Sequence, residues 1–320
     1  MIQYLRGRTL ALSLTIFAAL AACTSNDRPV PLSQVDIAPP VEVPPQNNVN
    51  IDNPTLIGAL NFEVSPGDTL SLVWADEFDG ARLDPETWFF ETGDGSEYGI
   101  PGWGNNELQY YLPDNARLED GMLKIEARAE SIGPFNYTSA RINTRDRFAF
   151  RYGRIEARIR LPGGQGIWPA FWLLAQDSPY GTWPASGEID IMEAANLGVL
   201  GKNSVIGTIH YGTSFPLDYE FTGESYVVPT DAQAEFHTYA VEWDATEIRW
   251  YVDGVLYGMR NFWYSTADFP APFDVPFYVI LNVAVGGNLP GPPNEDTVLP
   301  VTMEVDWVRV YTGQPAEPEE

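Results

Sequence analysis

The sequence predicts an all-β fold, a sandwich or jelly roll, and three observations carry that expectation. Strand signals recur at short intervals from about Leu70 to Tyr311 with hardly a helical period among them. The 28 glycines and 27 prolines supply turns between them. No repeat of roughly 20–50 residues is apparent, which argues against a propeller or solenoid, and strands without alternating helices pack as sheets.

Taken in order, Leu123 to Arg128 reads as a strand, and Arg154 to Leu161 alternates strictly, with Ile155, Ala157, Ile159 and Leu161 toward a core. Trp168 and Trp172 stand four apart in Trp-Pro-Ala-Phe-Trp, hence on one strand face. Tyr239 to Trp243 follows, then Trp250 to Tyr257, where Asp253-Gly254 between two apolar runs signals a hairpin. Phe277 to Val283 and Met303 to Tyr311 complete the series.

The chain has 320 residues, 44% hydrophobic and 19% charged, which excludes a fully disordered polymer. Its ends differ from its middle. Arg6 and Arg8 precede an apolar run, Leu10 to Ala22, too short to span a membrane comfortably. Residues 1–22 read as a signal peptide, and the following Cys23, the only cysteine, resembles a bacterial lipobox acceptor. The expectation is an exported lipoprotein, anchored at the outer membrane or cell surface and unable to form an internal disulfide. Residues 23–70 contain the lipid-anchor cysteine and a Pro-rich linker, residues 71–312 one domain, and residues 313–320 an acidic tail.

With 44 acidic against 18 basic residues, the net charge is −26 at pH 7. Phosphate backbones would repel such a chain, so nucleic acid is excluded as a partner and sulfated or uronic polymers are disfavoured. Aromatic residues reach 13%, with 10 tryptophans, a surplus that suits flat, hydroxylated ligands.

Chemistry concentrates at Gly187-Glu188-Ile189-Asp190-Ile191-Met192-Glu193. Acids are depleted in strands and costly to bury, so three on one apolar strand need a reason. Glu188 and Asp190 share a face; Glu193 would point the other way unless a single-residue bulge near Met192 restores it. Two carboxyl groups about 5–5.5 Å apart would suit a retaining glycosidase, one ionised to attack and one protonated to assist departure. The crowded Asp190 would help hold the two in different protonation states. A solvated edge strand and a calcium or other metal site are the competing readings; Ile189, Ile191 and Met192 weaken the first. For the tryptophan pair the competing reading is core packing. Trp183 lies five residues before Glu188, and Trp103 to Tyr111 mixes amides with rings as a sugar-binding loop would.

These motifs resemble glycoside hydrolase family 16, and the bulged acidic signature is similar to that of its laminarinase branch. The likeness runs almost continuously from Leu72 to Tyr311. It takes in Trp74 to Phe78, Trp103 to Tyr111, Tyr137 to Arg141, Tyr152 to Arg154, Gly164 to Trp172, Gly207 to His210, Phe236 to Tyr239, Ile280 to Gly287 and Val305 to Trp307. The resemblance implies a β-jelly-roll sandwich of two curved antiparallel sheets with a concave substrate cleft. It implies Glu188 as nucleophile, Glu193 as acid/base and Asp190 as electrostatic helper, with no catalytic cofactor. Trp168, Trp172, Arg141 and Asn106 would line the donor side of the cleft, His210 would lie near the acid/base on the leaving-group side, and Trp103 would also bind substrate. A structural calcium would be held by Asp306 with backbone oxygens near Glu77 and Gly121. His237 reads as a structural histidine. One departure stands out: Leu289 in Gly286 to Gly291 replaces the tryptophan usual in laminarinases. The expected activity is retaining endo-hydrolysis of β-1,3-glucan by a monomer. The alternatives are mixed-linkage β-1,3-1,4-glucan, an agar-type galactan, or a non-catalytic glucan-binding lipoprotein.

Overall fold

The computed structural model describes residues 60–61 and 70–312. The expected signal peptide, Cys23, most of the expected linker and the acidic tail lie outside the described residues.

Two large sheets face each other. The site sheet runs in the order β1 (Leu60–Asn61), β9 (Ala149–Arg151), β18 (Phe277–Val285), β11 (Ile167–Ala175), β12 (Glu188–Glu193), β13 (Ser204–Ser214) and β14 (Asp218–Val227). β8 (Arg141–Asn143) also pairs with β18, and β3 (Phe89–Glu91) pairs with β8. The backing sheet runs β17 (Val255–Arg260), β16 (Ile248–Val252), β15 (His237–Trp243), β10 (Gly153–Arg160), β19 (Val301–Thr312), β6 (Met122–Ala127) and β5 (Ala116–Glu119), with β2 (Ser71–Asp76) also on β19. A small pair, β4 (Gln109–Tyr111) and β7 (Tyr137–Ser139), stands apart. This is the expected all-β jelly-roll sandwich. β1 falls inside the segment read as linker: Leu60 and Asn61 pair in parallel with Phe150 and Arg151, so part of that segment belongs to the site sheet.

The alternation read in β10 is realised: Ile155, Ala157, Ile159 and Leu161 are buried, while Arg154 between them and solvent pairs with Glu156 and Glu242. The β16–β17 hairpin turns on Asp253 and Gly254, both at positive φ as a type I′ turn demands. One apolar cluster fills the space between the sheets, with Phe171, Leu173, Ile189, Ile191, Met192 and Leu281 meeting Ile155, Val241, Trp250 and Val305. β18 is buried along all nine residues. Its second face puts Tyr278 and Ile280 with Ala149 in a smaller cluster against half-buried Trp172, which gives the site a packed floor.

His237 is buried with both ring nitrogens occupied, Nδ1 by Asp253 Oδ2 at 2.6 Å and Nε2 by Thr230 Oγ1 at 3.1 Å, in keeping with a structural role. On the outer edge of β19, β6 pairs up to Val305 and β2 from Val308 onward, so Asp306 lies at their junction, where Glu77 leaves β2 and Gly121 leads into β6. Glu77's own carboxylate turns away to Arg309 Nε and Nη2, at 2.8 and 2.9 Å. Asp306 Oδ2 accepts from Arg158 Nη1 at 2.5 Å.

Candidate active site

β12 lies between β11 and β13 in the middle of the site sheet. On the β11 side Phe171 opposes Met192 and Trp172 opposes Asp190, leaving Ile191 as an extra residue. On the β13 side Asp190 opposes Thr208 and Glu193 opposes Ile206, three steps against two. Ile191 and Met192, adjacent in sequence, both enter the core at 1% and 0% exposure. The register shift is the expected bulge, and it returns Glu193 to the face of Glu188 and Asp190.

The bulge is fastened from behind. The main-chain carbonyl of Asp190 accepts the indole N–H of Trp250, on β16 of the backing sheet, at 2.8 Å. Trp250 reaches it because Gly207 on β13 has no side chain: a Cβ there would lie 2.3 Å from the indole. The glycine of Gly207-Thr208-Ile209-His210 is therefore a packing requirement of the acidic strand.

Each glutamate carries one indole donor. Trp183 Nε1 donates to Glu188 Oε2 at 2.8 Å, and Trp168 Nε1 donates to Glu193 Oε1 at 2.9 Å. His210 opposes Glu188 across the β12–β13 ladder, and its Nε2 lies 2.9 Å from Asp190 Oδ2 and 3.7 Å from Glu188 Oε1. The register seats this histidine opposite Glu188, and its positive charge bears on Glu193 as well.

Burial, then the Asp190 carboxylate, push Glu188 up to about 7 against the opposing pull of His210 and the Trp183 bond. Burial and Asp190 likewise push Glu193 well above the ordinary glutamate range. Burial pulls His210 down, but Glu188 and Asp190 outweigh it and raise the imidazole to about 9. A cation therefore sits against Glu188 at neutral pH, whereas among the described residues none is ion-paired with Glu193. The shared proton belongs on Glu193 and the negative charge on Glu188. Trp168 occupies Oε1 of Glu193, which leaves Oε2 open on the site face.

On the β11 and β18 side, Trp172 Nε1 donates to Asn282 Oδ1 at 2.7 Å, Asn282 Nδ2 to Tyr111 Oη at 3.1 Å, and Tyr111 Oη to Glu107 Oε2 at 3.1 Å. Gln109 Nε2 also donates to Glu107, at 2.7 Å. Arg141 is buried, ion-paired with Glu91, with its guanidinium 4.6 Å from the Trp103 ring and 4.7 Å from that of Trp172. Trp103 was read as a sugar-contacting ring. It is only 4% exposed, its N–H on Gly93 O at 3.2 Å, and it backs Arg141 rather than facing solvent, because the left-handed turn at Gly102–Trp103 folds the indole inward. Asn106 is on the open side, donating to Asn288 Oδ1 at 2.8 Å. That contact joins it to the loop of Leu289, which is exposed, while Gly287 packs against Trp168.

Among the described residues, one grouping of acids and histidine is tight enough to hold a metal ion: Glu188, Asp190 and His210. A cation bound there would have to displace the proton that Glu188 and Asp190 hold on the imidazole. Sequence reasoning left out Asn282, Glu107, Glu91, Trp250 and Tyr219, whose Oη meets His210 Nδ1 at 2.7 Å. Glu107 and Asn282 lie inside segments already singled out, Trp103 to Tyr111 and Ile280 to Gly287, and Tyr219 belongs to the aromatic alternation Tyr219-x-Phe221.

Two carboxyl groups on one open face, one holding a proton and one a charge, with indoles alongside, are what cleavage of a glycosidic bond requires. That defines a glycoside hydrolase. Residues 101–309 match the model of glycosyl hydrolases family 16, and the chain belongs to that family. It is 45% identical over 251 residues to a beta-glucanase of Rhodothermus marinus, which covers 75% of this chain and 84% of that protein. It is 42% identical over 298 residues to glucan endo-1,3-beta-glucosidase A1 of Niallia circulans, covering 87% of this chain but spanning 42% of that longer protein. The laminarinase catalytic domain from Thermotoga maritima MSB8 superposes with a TM-score of 0.70 at 42% identity, covering 77% of this chain and 100% of that domain.

Proposed function

We propose that this chain is a retaining endo-hydrolase of β-1,3-glucan, and the proton asymmetry between Glu188 and Glu193 on one strand face carries the reading. In the first step Glu188 attacks the anomeric carbon as Glu193 passes its proton to the departing glycosidic oxygen. In the second, Glu193, now a carboxylate, takes a proton from water, whose oxygen displaces Glu188 with net retention. Asp190 and His210 shape the charge around Glu188, and the rings of Trp168 and Trp172 offer the donor-side surface for sugar faces. The relatives' names supply the linkage, and a net charge of −26 suits a neutral polymer. Proton NMR of the earliest turnover of laminarin tests this. New β-anomer ahead of mutarotation is expected; α-anomer would overturn the carboxylate assignment.

A second reading keeps the machinery and broadens the polymer to mixed-linkage glucan. The exposed Leu289 favours it, because it stands two residues beyond Gly287, which packs against Trp168, and an aliphatic side chain there offers a less selective surface than an aromatic ring. Product profiles on laminarin and lichenan separate the two.

The same reading takes the enzyme as an exported monomer, lipidated at Cys23 and held away from the membrane by the Pro-rich segment. Intact-mass analysis of the membrane fraction tests the anchor. A structural calcium would take Asp306, at the junction of β2 and β6, with main-chain oxygens near Glu77 and Gly121, and it would have to share the Asp306 carboxylate with Arg158. A rise in Tm on adding calcium, lost in Asp306→Asn, is the expected sign.

A further inference from the structure

Two carboxyl groups lie buried beneath the donor side, and the chemistry at Glu188 and Glu193 uses neither. Glu91 is answered directly by Arg141. Glu107 instead accepts two hydrogen bonds on one oxygen: Oε2 takes Gln109 Nε2 at 2.7 Å and Tyr111 Oη at 3.1 Å. Burial pushes its carboxyl above the ordinary range, against the pull of Arg141 and of those two bonds. Burying such a group costs free energy, so its place here needs a reason.

The reason lies in the direction of the hydrogen bonds. An indole N–H can only donate and a carboxylate can only accept, whereas an amide can be turned end for end and a hydroxyl does both. Glu107 and Trp172 are the two ends of one chain, with Tyr111 and Asn282 between them. Tyr111 gives its single proton to Glu107 Oε2, so its oxygen accepts from Asn282 Nδ2. That leaves Asn282 Oδ1 to accept Trp172 Nε1 at 2.7 Å. Gln109 is held in one sense as well, because its Oε1 accepts the Val285 N–H at 2.7 Å and keeps Nε2 on Glu107. Tyr111, Gln109 and Asn282 are all buried, so water does not compete for these bonds. Trp172 alone is half-buried, and it opposes Asp190 across the β11–β12 ladder, on the face of the catalytic acids. With its N–H on Asn282 and the Arg141 guanidinium 4.7 Å from its ring, the indole keeps one tilt and one free face.

We propose that Asn282 is a positioning residue that locks the Trp172 indole for sugar binding, and that Glu107, acting through Tyr111, fixes the sense in which Asn282 does so. The inference rests on the reading of Trp172 as a donor-side sugar surface and deepens it. Without the carboxylate a second sense opens: Tyr111 can donate to Asn282 Oδ1, and Asn282 Nδ2 then faces the indole N–H, donor against donor. The indole loses its acceptor and with it the tilt that presents its free face.

The experiment follows the Trp172 indole N–H in the proton–nitrogen correlation spectrum, assigned by its loss in Trp172→Phe, beside laminarin kinetics. Asn282→Leu, close in volume, should move that resonance upfield and raise KM by about five- to tenfold, more than it lowers kcat. Glu107→Leu should move both readouts in the same direction through Tyr111 and Asn282. Adding Asn282→Asp to Glu107→Leu should return both, because a carboxylate can face the indole only as an acceptor. An unmoved resonance in Asn282→Leu, or a moved one with KM unchanged, would overturn the positioning role. A Glu107→Leu effect that Asn282→Asp does not reverse would overturn the relay. An unaltered KM in Trp172→Ala would instead overturn the sugar-surface reading on which the inference rests.

Discussion

Trp250 donates its indole N–H across the sandwich to the main-chain carbonyl of Asp190 at 2.8 Å, so the backing sheet holds the catalytic bulge of the site sheet. Trp250→Phe keeps the ring in the core and leaves that carbonyl without its donor. A buried acceptor stripped of its partner costs about 1–3 kcal/mol. The expected outcome is a lower Tm together with a fall in kcat that exceeds any change in KM, because the bulge sets Glu193 relative to Glu188. Denaturant melts and laminarin kinetics check both halves.

Glu188→Gln should abolish turnover of laminarin and of laminaribiosyl β-fluoride alike, since both need the nucleophile. Glu193→Gln should lower laminarin turnover by about 10²–10⁴-fold. Formation of the glycosyl-enzyme from the fluoride should be largely spared, because fluoride departs with little need of an acid. Rapid-quench capture of the intermediate, visible by intact mass, separates the two roles.

The acid limb of the pH–rate profile follows Glu188, which must ionise and is raised to about 7, and the alkaline limb follows loss of the proton from Glu193, which burial and Asp190 also raise. His210 lowers Glu188 by its positive charge. Removing that cation in His210→Gln should therefore move the acid limb to higher pH, by about 1–3 units. A profile of kcat/KM from pH 5 to 10 reads the shift directly.

How much of this was legible in the sequence depended on whether the signal was local. β10 and the Asp253-Gly254 hairpin were, because alternation and turn chemistry act over a few residues. The acids and their bulge were as well, since an apolar residue on each side of the missing step can be read directly. The indole that secures the bulge was not: Trp250 stands 60 residues from Asp190, and only the sandwich brings them together. Trp103 and Trp168 look alike in sequence, yet one is folded beneath Arg141 and the other faces Glu193. Strands of two or three residues such as β1, β4 and β7 carry too few side chains to show a period.

Burial of the acids should also show in stability. Glu188 rises from an ordinary 4.5 to about 7, so the folded protein keeps a proton that the unfolded chain releases, and stability falls as pH climbs through that window. His210 acts in the same direction: raised from 6.5 to about 9, it contributes fully below 6.5, and that contribution is lost as pH rises through about 9. Glu193→Gln should therefore raise Tm at pH 8, by about 2–4 °C for each kcal/mol relieved, and leave it unchanged at pH 4. Scanning calorimetry at the two pH values checks the sign.

Arg141 separates structural from substrate roles on the donor side. Its guanidinium lies between Trp103 and Trp172 and pairs with Glu91 in the interior. Arg141→Met leaves the Glu91 carboxylate buried without its partner, which should cost about 3–5 kcal/mol. The double variant Arg141→Met/Glu91→Met removes both charges and should recover most of that loss. Trp172 would still have lost the plane against which it is set, so the double variant should fold with near-native Tm yet show a raised KM for laminarin. Recovery of both Tm and KM would mean that Arg141 serves only the fold; recovery of Tm alone ties its position to the sugar-binding face of Trp172.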